Sequence, residues 1–170
     1  MPAPVLIAYA TKHGSTQEVA EAIGKTLDSR GFEVHVMPAR EVRDVEPYRA
    51  VVVGGALYMG RWHRDALRLL RRHADALERR PLALFAMGPK SVEAAEIKTA
   101  RRELEHSLGS VQHLSPVAIT VFGGVIDPGE LHFPFNRMAA VDARDWQAIE
   151  TWAHELATRF AAPSVPVPVM

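Results

Sequence analysis

Hydroxyl-bearing and basic residues cluster directly after the first apolar segment of the chain. The run Val5–Ala10 is followed by Thr11-Lys12-His13-Gly14-Ser15-Thr16, and a segment with helical periodicity begins there. Backbone N–H groups at a helix start, together with the positive end of the helix dipole, form a ready site for phosphate. The three hydroxyls of this loop can add further donors. The alternative is a capped turn without a ligand, since Ser15 followed by Glu18 fits a capping box.

Other phosphate and nucleophile chemistries lack their motifs. The chain contains neither G-x-x-x-x-G-K-[ST] nor a G-x-G-x-x-G after its first strand, which disfavours a nucleoside triphosphatase and a dinucleotide-binding site. Having no Cys, it excludes disulfides, thiolate catalysis and zinc–thiolate sites. His13, His63 and His132 fall in different loops without the spacing of paired metal ligands, so no metal site is predicted.

The loop that follows the third apolar run offers a second set of candidate residues. Gly54 and Gly55 would let a flat ring lie close to the backbone, and Gly60 provides a peptide that can flip. Tyr58 and Trp62 offer aromatic faces for stacking. The alternative is that these aromatics are half-buried loop residues, with Trp62 and the following His at a helix start.

The positions of these loops depend on an alternation of strand-like and helix-like segments. Strands are predicted at Val5–Ala10, Phe32–Met37, Ala50–Gly55, Leu82–Met87 and Val117–Phe122. Helices are predicted at Gly14–Arg30, Arg64–Arg80, Glu96–Leu108 and Asp142–Phe160, the last capped by Asp142. One helical turn is expected within 38–48. Such alternation predicts an α/β fold with a doubly wound parallel sheet, whose ligands bind beyond the carboxyl ends of the strands.

Composition sets the broad class. The 170 residues are 48% hydrophobic and carry 20 basic against 20 acidic side chains. They predict one domain over residues 1–162, followed by a Pro/Val tail over 163–170. Zero net charge gives no reason to expect nucleic acid as a partner. With no apolar run long enough for a transmembrane segment and no secretion signal, the default expectation is a soluble cytoplasmic protein.

The loop after the first strand resembles the flavodoxin signature. The matching positions are Tyr9, Thr11, Gly14, Thr16, Ala20 and Ile23, whereas Ala8 is smaller than the family's usual residue. The resemblance implies a five-stranded sheet of order 2-1-3-4-5 in three α/β/α layers, with noncovalent FMN as the cofactor. It also implies a phosphate cradle made of Thr11, Lys12, His13, Gly14, Ser15 and Thr16.

The resemblance further implies that the remaining ligand-side loops contact the flavin ring. The loop after the third strand contributes Ala56, Leu57, Tyr58, Met59 and Gly60. The loop after the fourth strand contributes Met87, Gly88, Pro89 and Lys90, and the loop after the fifth contributes Gly123 and Gly124. Because that fourth-strand loop lacks the family's usual Tyr, one ring face is expected to be open. No side chain is assigned a catalytic role, since the flavin N5 carries the chemistry.

The long connection after the fifth strand resembles an insert of menaquinone-dependent protoporphyrinogen dehydrogenases. Within Asp127–Met138, Phe133, Phe135 and Met138 are apolar, and Arg137 could meet a propionate. The resemblance implies an oxidoreductase that passes electrons from a flat tetrapyrrole through FMN to a quinone or a redox partner protein. The apolar residues of this insert could also make a peripheral membrane contact. The alternatives are an electron carrier without its own substrate, and a flavin-free interaction domain.

Overall fold

A computed structural model describes residues 2–12, 14–88, 91, 93–126 and 140–161. Several sequence predictions therefore lie outside the described residues. These are the roles of His13, Pro89 and Lys90, the insert Asp127–Met138 with His132, and the tail 163–170.

Strands and helices alternate along the described chain. The strands are β1 (Val5–Ala10), β2 (Val34–Pro38), β3 (Ala50–Tyr58), β4 (Arg61–Trp62), β5 (Leu82–Met87), β6 (Ala118–Phe122), β7 (Val125–Ile126) and β8 (Val141–Asp142). The helices are α1 (Ser15–Ser29), α2 (Arg64–Arg72), α3 (Ala74–Leu77), α4 (Ala94–Ser107) and α5 (Trp146–Ala161). Single 3₁₀ turns lie at Ala39–Glu41, where one helical turn was expected, and at Leu108–Val111.

The main sheet is parallel and has the order β2-β1-β3-β5-β6. In terms of the five predicted strands this is 2-1-3-4-5, so the doubly wound topology is confirmed. Two short antiparallel additions were not predicted: β4 folds back on the end of β3, and β7 pairs with β8. Both additions lie at the carboxyl ends of their parent strands, where such a sheet binds ligands.

The core lies on both faces of the sheet, as strand alternation requires. On one face, Leu6, Ala8, Val51 and Val53 pack with residues of α2, α3 and α4. On the other, Val5, Ile7 and Val52 pack with α1 and α5. The three-layer arrangement therefore fixes the starts of α1 and α5 side by side at the carboxyl edge.

Several predicted boundaries differ from the structure. The strand predicted over Ala50–Gly55 continues to Tyr58, so Ala56 and Leu57 lie in β3 rather than in the loop after it. The helix predicted over Arg64–Arg80 breaks at His73, where φ is −112° and ψ is 21°. Leu70 and Leu77 are buried on both sides of the break, so hydrophobic spacing continues across it and could not reveal it. The strand predicted from Phe32 starts at Val34.

The start of the last helix also differs from the prediction. Asp142 does not cap it, because this residue lies in β8 and its carboxylate accepts from the backbone N–H and guanidinium of Arg144. The carboxylate of Asp145 instead accepts the N–H of Ala148 at 3.1 Å, which is the geometry of an N-cap.

Candidate cofactor site

Helix α1 begins at a glycine whose backbone other residues rarely adopt. Gly14 is the N-cap with φ +90°, and its N–H donates to Thr11 Oγ1 at 2.9 Å. Among the described residues no side chain caps the helix, so the capping box predicted from Ser15 and Glu18 is wrong. The Glu18 carboxylate instead accepts from Arg144 Nη1 at 2.8 Å. The first N–H groups of α1 are thus left without a capping side chain, as an anion site requires.

Among the described residues of this loop, Thr16 is the buried polar residue that lacks a partner. Its side chain is completely buried, and Oγ1 has no hydrogen-bond partner among the described residues. An unpaired buried hydroxyl is unfavourable by about 1–3 kcal/mol. A phosphate at the helix start would provide the missing acceptor. Thr11, Gly14 and Ser15 are half-buried beside it, and Lys12 is exposed.

The loop after β3 is a tight hairpin. Tyr58 pairs with Arg61, and the two residues between them, Met59 and Gly60, have φ of 51° and 76°. Positive φ at both central residues is the requirement of a type I′ turn. Tyr58 and Met59 are 48% and 73% exposed, so the hairpin presents them to solvent. Ala56 and Leu57, which precede them, are half-buried.

A cation–π contact links the hairpin to the phosphate loop. Lys12 Nζ lies 4.7 Å from the centroid of the Tyr58 ring. Such a contact contributes about 0.5–1 kcal/mol at an exposed site. The two loops that were predicted to hold the phosphate and the ring are therefore neighbours in the folded chain.

The two glycines at the end of β3 have a different role from the predicted one. A Cβ on Gly54 would lie 1.9 Å from the Phe85 ring, and one on Gly55 would lie 2.7 Å from Trp62 Nε1. The rings that approach this backbone belong to the protein, so these glycines do not make room for a cofactor. The buried Trp62 donates from Nε1 to the Gly55 carbonyl at 3.0 Å. His63 Nδ1 accepts the backbone N–H of Asp65 at 3.1 Å, so His63 caps α2. This agrees with the alternative prediction that His63 lies at a helix start.

The loops after β5 and β6 meet through glycine backbone. Gly88 donates its N–H to the Phe122 carbonyl at 3.2 Å, and a Cβ on Gly124 would lie 3.2 Å from the Gly88 nitrogen. A Cβ on Gly123 would lie 2.0 Å from the carbonyl oxygen of Ala143. These glycines thus serve close backbone packing whether or not they also contact a ligand. The Met87 side chain is buried in the core beside Phe85.

The base of the long connection after β6 is held by a short ladder. Ile126 pairs with Val141 and Val125 with Asp142, so the segment between them leaves and returns at one place. The Ala143 N–H donates to the Gly124 carbonyl at 2.9 Å and continues the ladder. The ladder therefore stands beside the loop after β5.

Arg144 joins this ladder to the start of α1. It donates from Nε and Nη2 to both carboxylate oxygens of Asp142 at 3.0 and 2.8 Å, and from Nη1 to Glu18. The guanidinium lies 4.8 Å from the Trp146 ring, and the side chain is 10% exposed. Hydrogen bonds from Arg144 lower the pKa of Asp142, and the same bonds raise the pKa of Arg144. Both shifts favour the charged forms of Asp142 and Arg144.

The sequence did not predict the Arg144 clamp, meaning the bonds of Arg144 to Asp142 and Glu18, nor the β3–β4 hairpin and the β7–β8 ladder. Gly60 was a detectable signal for the β3–β4 turn because glycine tolerates the positive φ that this turn requires, whereas Met59 gave none. Arg144 had no such signal, since its partner Glu18 lies 126 residues away. Within the described segments, no group of three or more His, Asp and Glu could hold a metal ion.

A parallel sheet of this order, with α1 starting at a glycine at its carboxyl edge, defines a doubly wound α/β protein, a class that binds its ligands at that edge. The chain belongs to the flavodoxin domain family, whose model matches residues 6–139. Family membership implies FMN as the cofactor. The unpartnered Thr16 hydroxyl and the uncapped start of α1 fit its phosphate group.

Solved structures agree with this fold. Oxidised flavodoxin 2 from Bacillus cereus has a TM-score of 0.62 and 22% identity, covering 92% of this chain and 99% of that one. The flavodoxin of Streptococcus pneumoniae TIGR4 has a TM-score of 0.60 and 18% identity, covering 92% of this chain and 99% of that one. At these identities the likeness concerns the fold.

A curated relative is protoporphyrinogen IX dehydrogenase [quinone] of Escherichia coli K12. It is 26% identical over 84 residues, which cover 48% of this chain and 46% of the relative. The chain thus matches about half the length of that protein. None of the described helices is long and apolar enough to cross a membrane.

Proposed function

We propose that this protein is an FMN-dependent oxidoreductase of the protoporphyrinogen dehydrogenase type, taking electrons from a flat substrate and passing them to a quinone-type acceptor. When bound, FMN supplies the ability to accept and release electrons. The protein binds the phosphate, orients the ring and limits access to it. The similarity to the E. coli relative supports this proposal, and it extends across about half of the chain.

The position of the β7–β8 ladder carries the proposal. Gly124 lies against the backbone of Gly88, so the ladder stands at the loop where one face of the flavin ring is expected. That loop has no aromatic residue in Met87-Gly-Pro-Lys-Ser91, which leaves room for a flat substrate. A connection that begins and ends there would border the substrate. A carrier needs no such segment.

The phosphate end of the proposed site is made by residues 11–16. N–H groups at the start of α1 and the Thr16 hydroxyl would donate to the phosphate, and Lys12 would balance its charge. Tyr58, Met59 and Gly60 would contact one side of the ring, with Ala56 and Leu57 behind them. Gly88, Pro89, Lys90, Gly123 and Gly124 would border the other side, together with the backbone of Met87.

Two measurements test the proposal. The purified protein, loaded with flavin, should release FMN rather than FAD on heat denaturation. It should then oxidise protoporphyrinogen IX anaerobically with a soluble menaquinone analogue as acceptor, followed by porphyrin fluorescence. A variant in which a short Gly-Ser linker replaces residues 127–139 should keep FMN and lose turnover. FMN-loaded full-length protein without this activity would contradict the enzymatic reading.

An electron carrier is the second candidate. Its supporting observation is the exposed pair Tyr58 and Met59, which presents the ring side of the site to a protein partner without further movement. In that case, reduction by a flavodoxin reductase should survive replacement of residues 127–139. For either function we propose a cytoplasmic location, with membrane contact through the insert as a further hypothesis.

A further inference from the structure

Positive charge is concentrated on one short stretch of this neutral protein. Residues 61–72 contain five Arg and one Asp, a net charge of +4, so the rest of the chain carries −4. The five are Arg61 in β4 and Arg64, Arg68, Arg71 and Arg72 in α2, and all are exposed. We call these five side chains the arginine stripe.

The stripe runs along the solvent face of α2. Arg64, Arg68 and Arg71 follow the i, i+4, i+7 spacing of one helix face, while Ala66 and Leu70 on the opposite face are buried. With a rise of about 1.5 Å per residue, the helical part extends roughly 12 Å. The stripe begins within the β3–β4 hairpin, because Arg61 pairs there with Tyr58.

Helix stability does not account for the first half of the stripe. Arg71 and Arg72 lie in the last turn of α2, where the helix dipole favours cations. Arg64 is the first residue of the helix, where the dipole disfavours them, and its side chain is 86% exposed. Its nearest acid is Asp65 at 4.0 Å, and no ion pair within that distance involves Arg61 or Arg68 among the described residues.

We propose that the arginine stripe, with Tyr58 and Met59 at its end, is a docking surface for an electron-transfer protein that carries an acidic patch. Exposed Tyr, Met and Arg side chains are the residue types enriched at protein interfaces. The stripe borders the hairpin at the ring side of the site, so a partner seated there lies beside the flavin. This partner assignment rests on the proposed redox function.

The charge distribution favours a compact protein over an extended anionic surface. A membrane or nucleic acid presents negative charge over a wide area and would also face the acidic remainder of the chain. A protein with a local acidic patch contacts the stripe alone. With zero net charge, attraction is limited to distances near the Debye length, about 10 Å at 0.1 M salt.

A binding experiment tests the surface without any turnover. The probe is an acidic plant-type [2Fe–2S] ferredoxin, titrated by calorimetry into the FMN-loaded protein at about 20 mM salt. The test variant is R61Q/R64Q/R68Q. The control, K25Q/R102Q/R159Q, removes the same charge from exposed positions on α1, α4 and α5. We expect the test variant to bind at least about tenfold more weakly and the control to bind like the wild type.

Three results would overturn the proposal. They are no binding of the ferredoxin at about 100 μM, equal weakening by the test and control variants, and stronger stripe-dependent binding to anionic phosphatidylglycerol vesicles than to the ferredoxin. The last would identify a membrane surface instead. Because the readout is binding, a protein without porphyrinogen activity could still pass this test, and an active one could fail it.

Discussion

Replacing Thr16 with valine should move the stability of the cofactor-free protein and its FMN affinity in opposite directions. Thr16 is fully buried and its hydroxyl lacks a partner among the described residues. An unsatisfied buried hydroxyl is unfavourable by about 1–3 kcal/mol, and valine fills nearly the same volume without it. Both residues are β-branched, so the change in helix propensity is small. We expect the free energy of unfolding to rise by about 1 kcal/mol.

The same substitution should weaken FMN binding. A hydrogen bond to a charged group is worth about 1.5–3 kcal/mol, so loss of the phosphate contact should raise the dissociation constant roughly tenfold or more. Riboflavin has no phosphate, and its affinity should stay constant. Urea unfolding of the apoprotein and fluorescence titration with both flavins provide the measurements. Thr99→Val is a matched control, because Thr99 is an exposed residue of α4 and does not belong to this loop.

Two results would refute this reasoning. If the apoprotein becomes less stable, the hydroxyl already has a partner in the folded chain. If FMN and riboflavin weaken equally, Thr16 acts on the shape of the loop rather than on the phosphate.

Substitutions at three further positions test the structure around the site. Gly123→Ala should destabilise by about 1–3 kcal/mol in urea unfolding, because its Cβ would lie 2.0 Å from the Ala143 carbonyl oxygen; equal stability would contradict that packing. Met59 already carries the cost of about 1–2 kcal/mol that a Cβ meets at φ of 51°, so Met59→Gly should not destabilise in the same assay, whereas the β-branched Met59→Val should destabilise further. Hydrogen bonds from Arg144 lower the pKa of Asp142 in the folded protein. The Asp142 carboxylate therefore stabilises the fold above the unfolded-state pKa of about 3.9, and this stabilisation is lost as the pH falls through the lower pKa of the folded state. Unfolding curves of Asp142→Asn and wild type should therefore differ at about pH 6 and converge toward acid pH; a constant gap would refute the ion pair.

The parallel sheet was predictable because each strand is either a continuous apolar run or a clear alternation. Val5–Ala10 and Leu82–Met87 were predicted to the residue. Burial on both faces requires such runs, and parallel pairing follows from the helices between them. The helix break at His73 was not predictable, since it leaves the apolar spacing unchanged.

The site was predictable where a local backbone requirement dictated the residue. Gly14 has the positive φ that the turn before α1 needs, and Thr16 two residues later is fully buried. The prediction that Gly54 and Gly55 make room for a flavin ring failed because several different groups can require glycine at such positions. A pair of glycines indicates that something approaches the backbone, but the sequence cannot say whether that ring comes from a cofactor or from Phe85 and Trp62.

The Arg144 clamp belongs to the part that no local pattern encodes, and it bears on how binding and access are related. Glu18 lies in the first turn of α1, the helix that follows the first-strand loop. Asp142 lies in the β7–β8 ladder, which joins the two ends of the long connection. One guanidinium bonds to both carboxylates. Because paired charges hold fixed orientations best when partly buried, this 10% exposed side chain sets the ladder against α1 more firmly than a solvent-exposed pair would. The β7–β8 ladder and the start of α1 therefore share one anchor, so a substitution that displaces one should also displace the other.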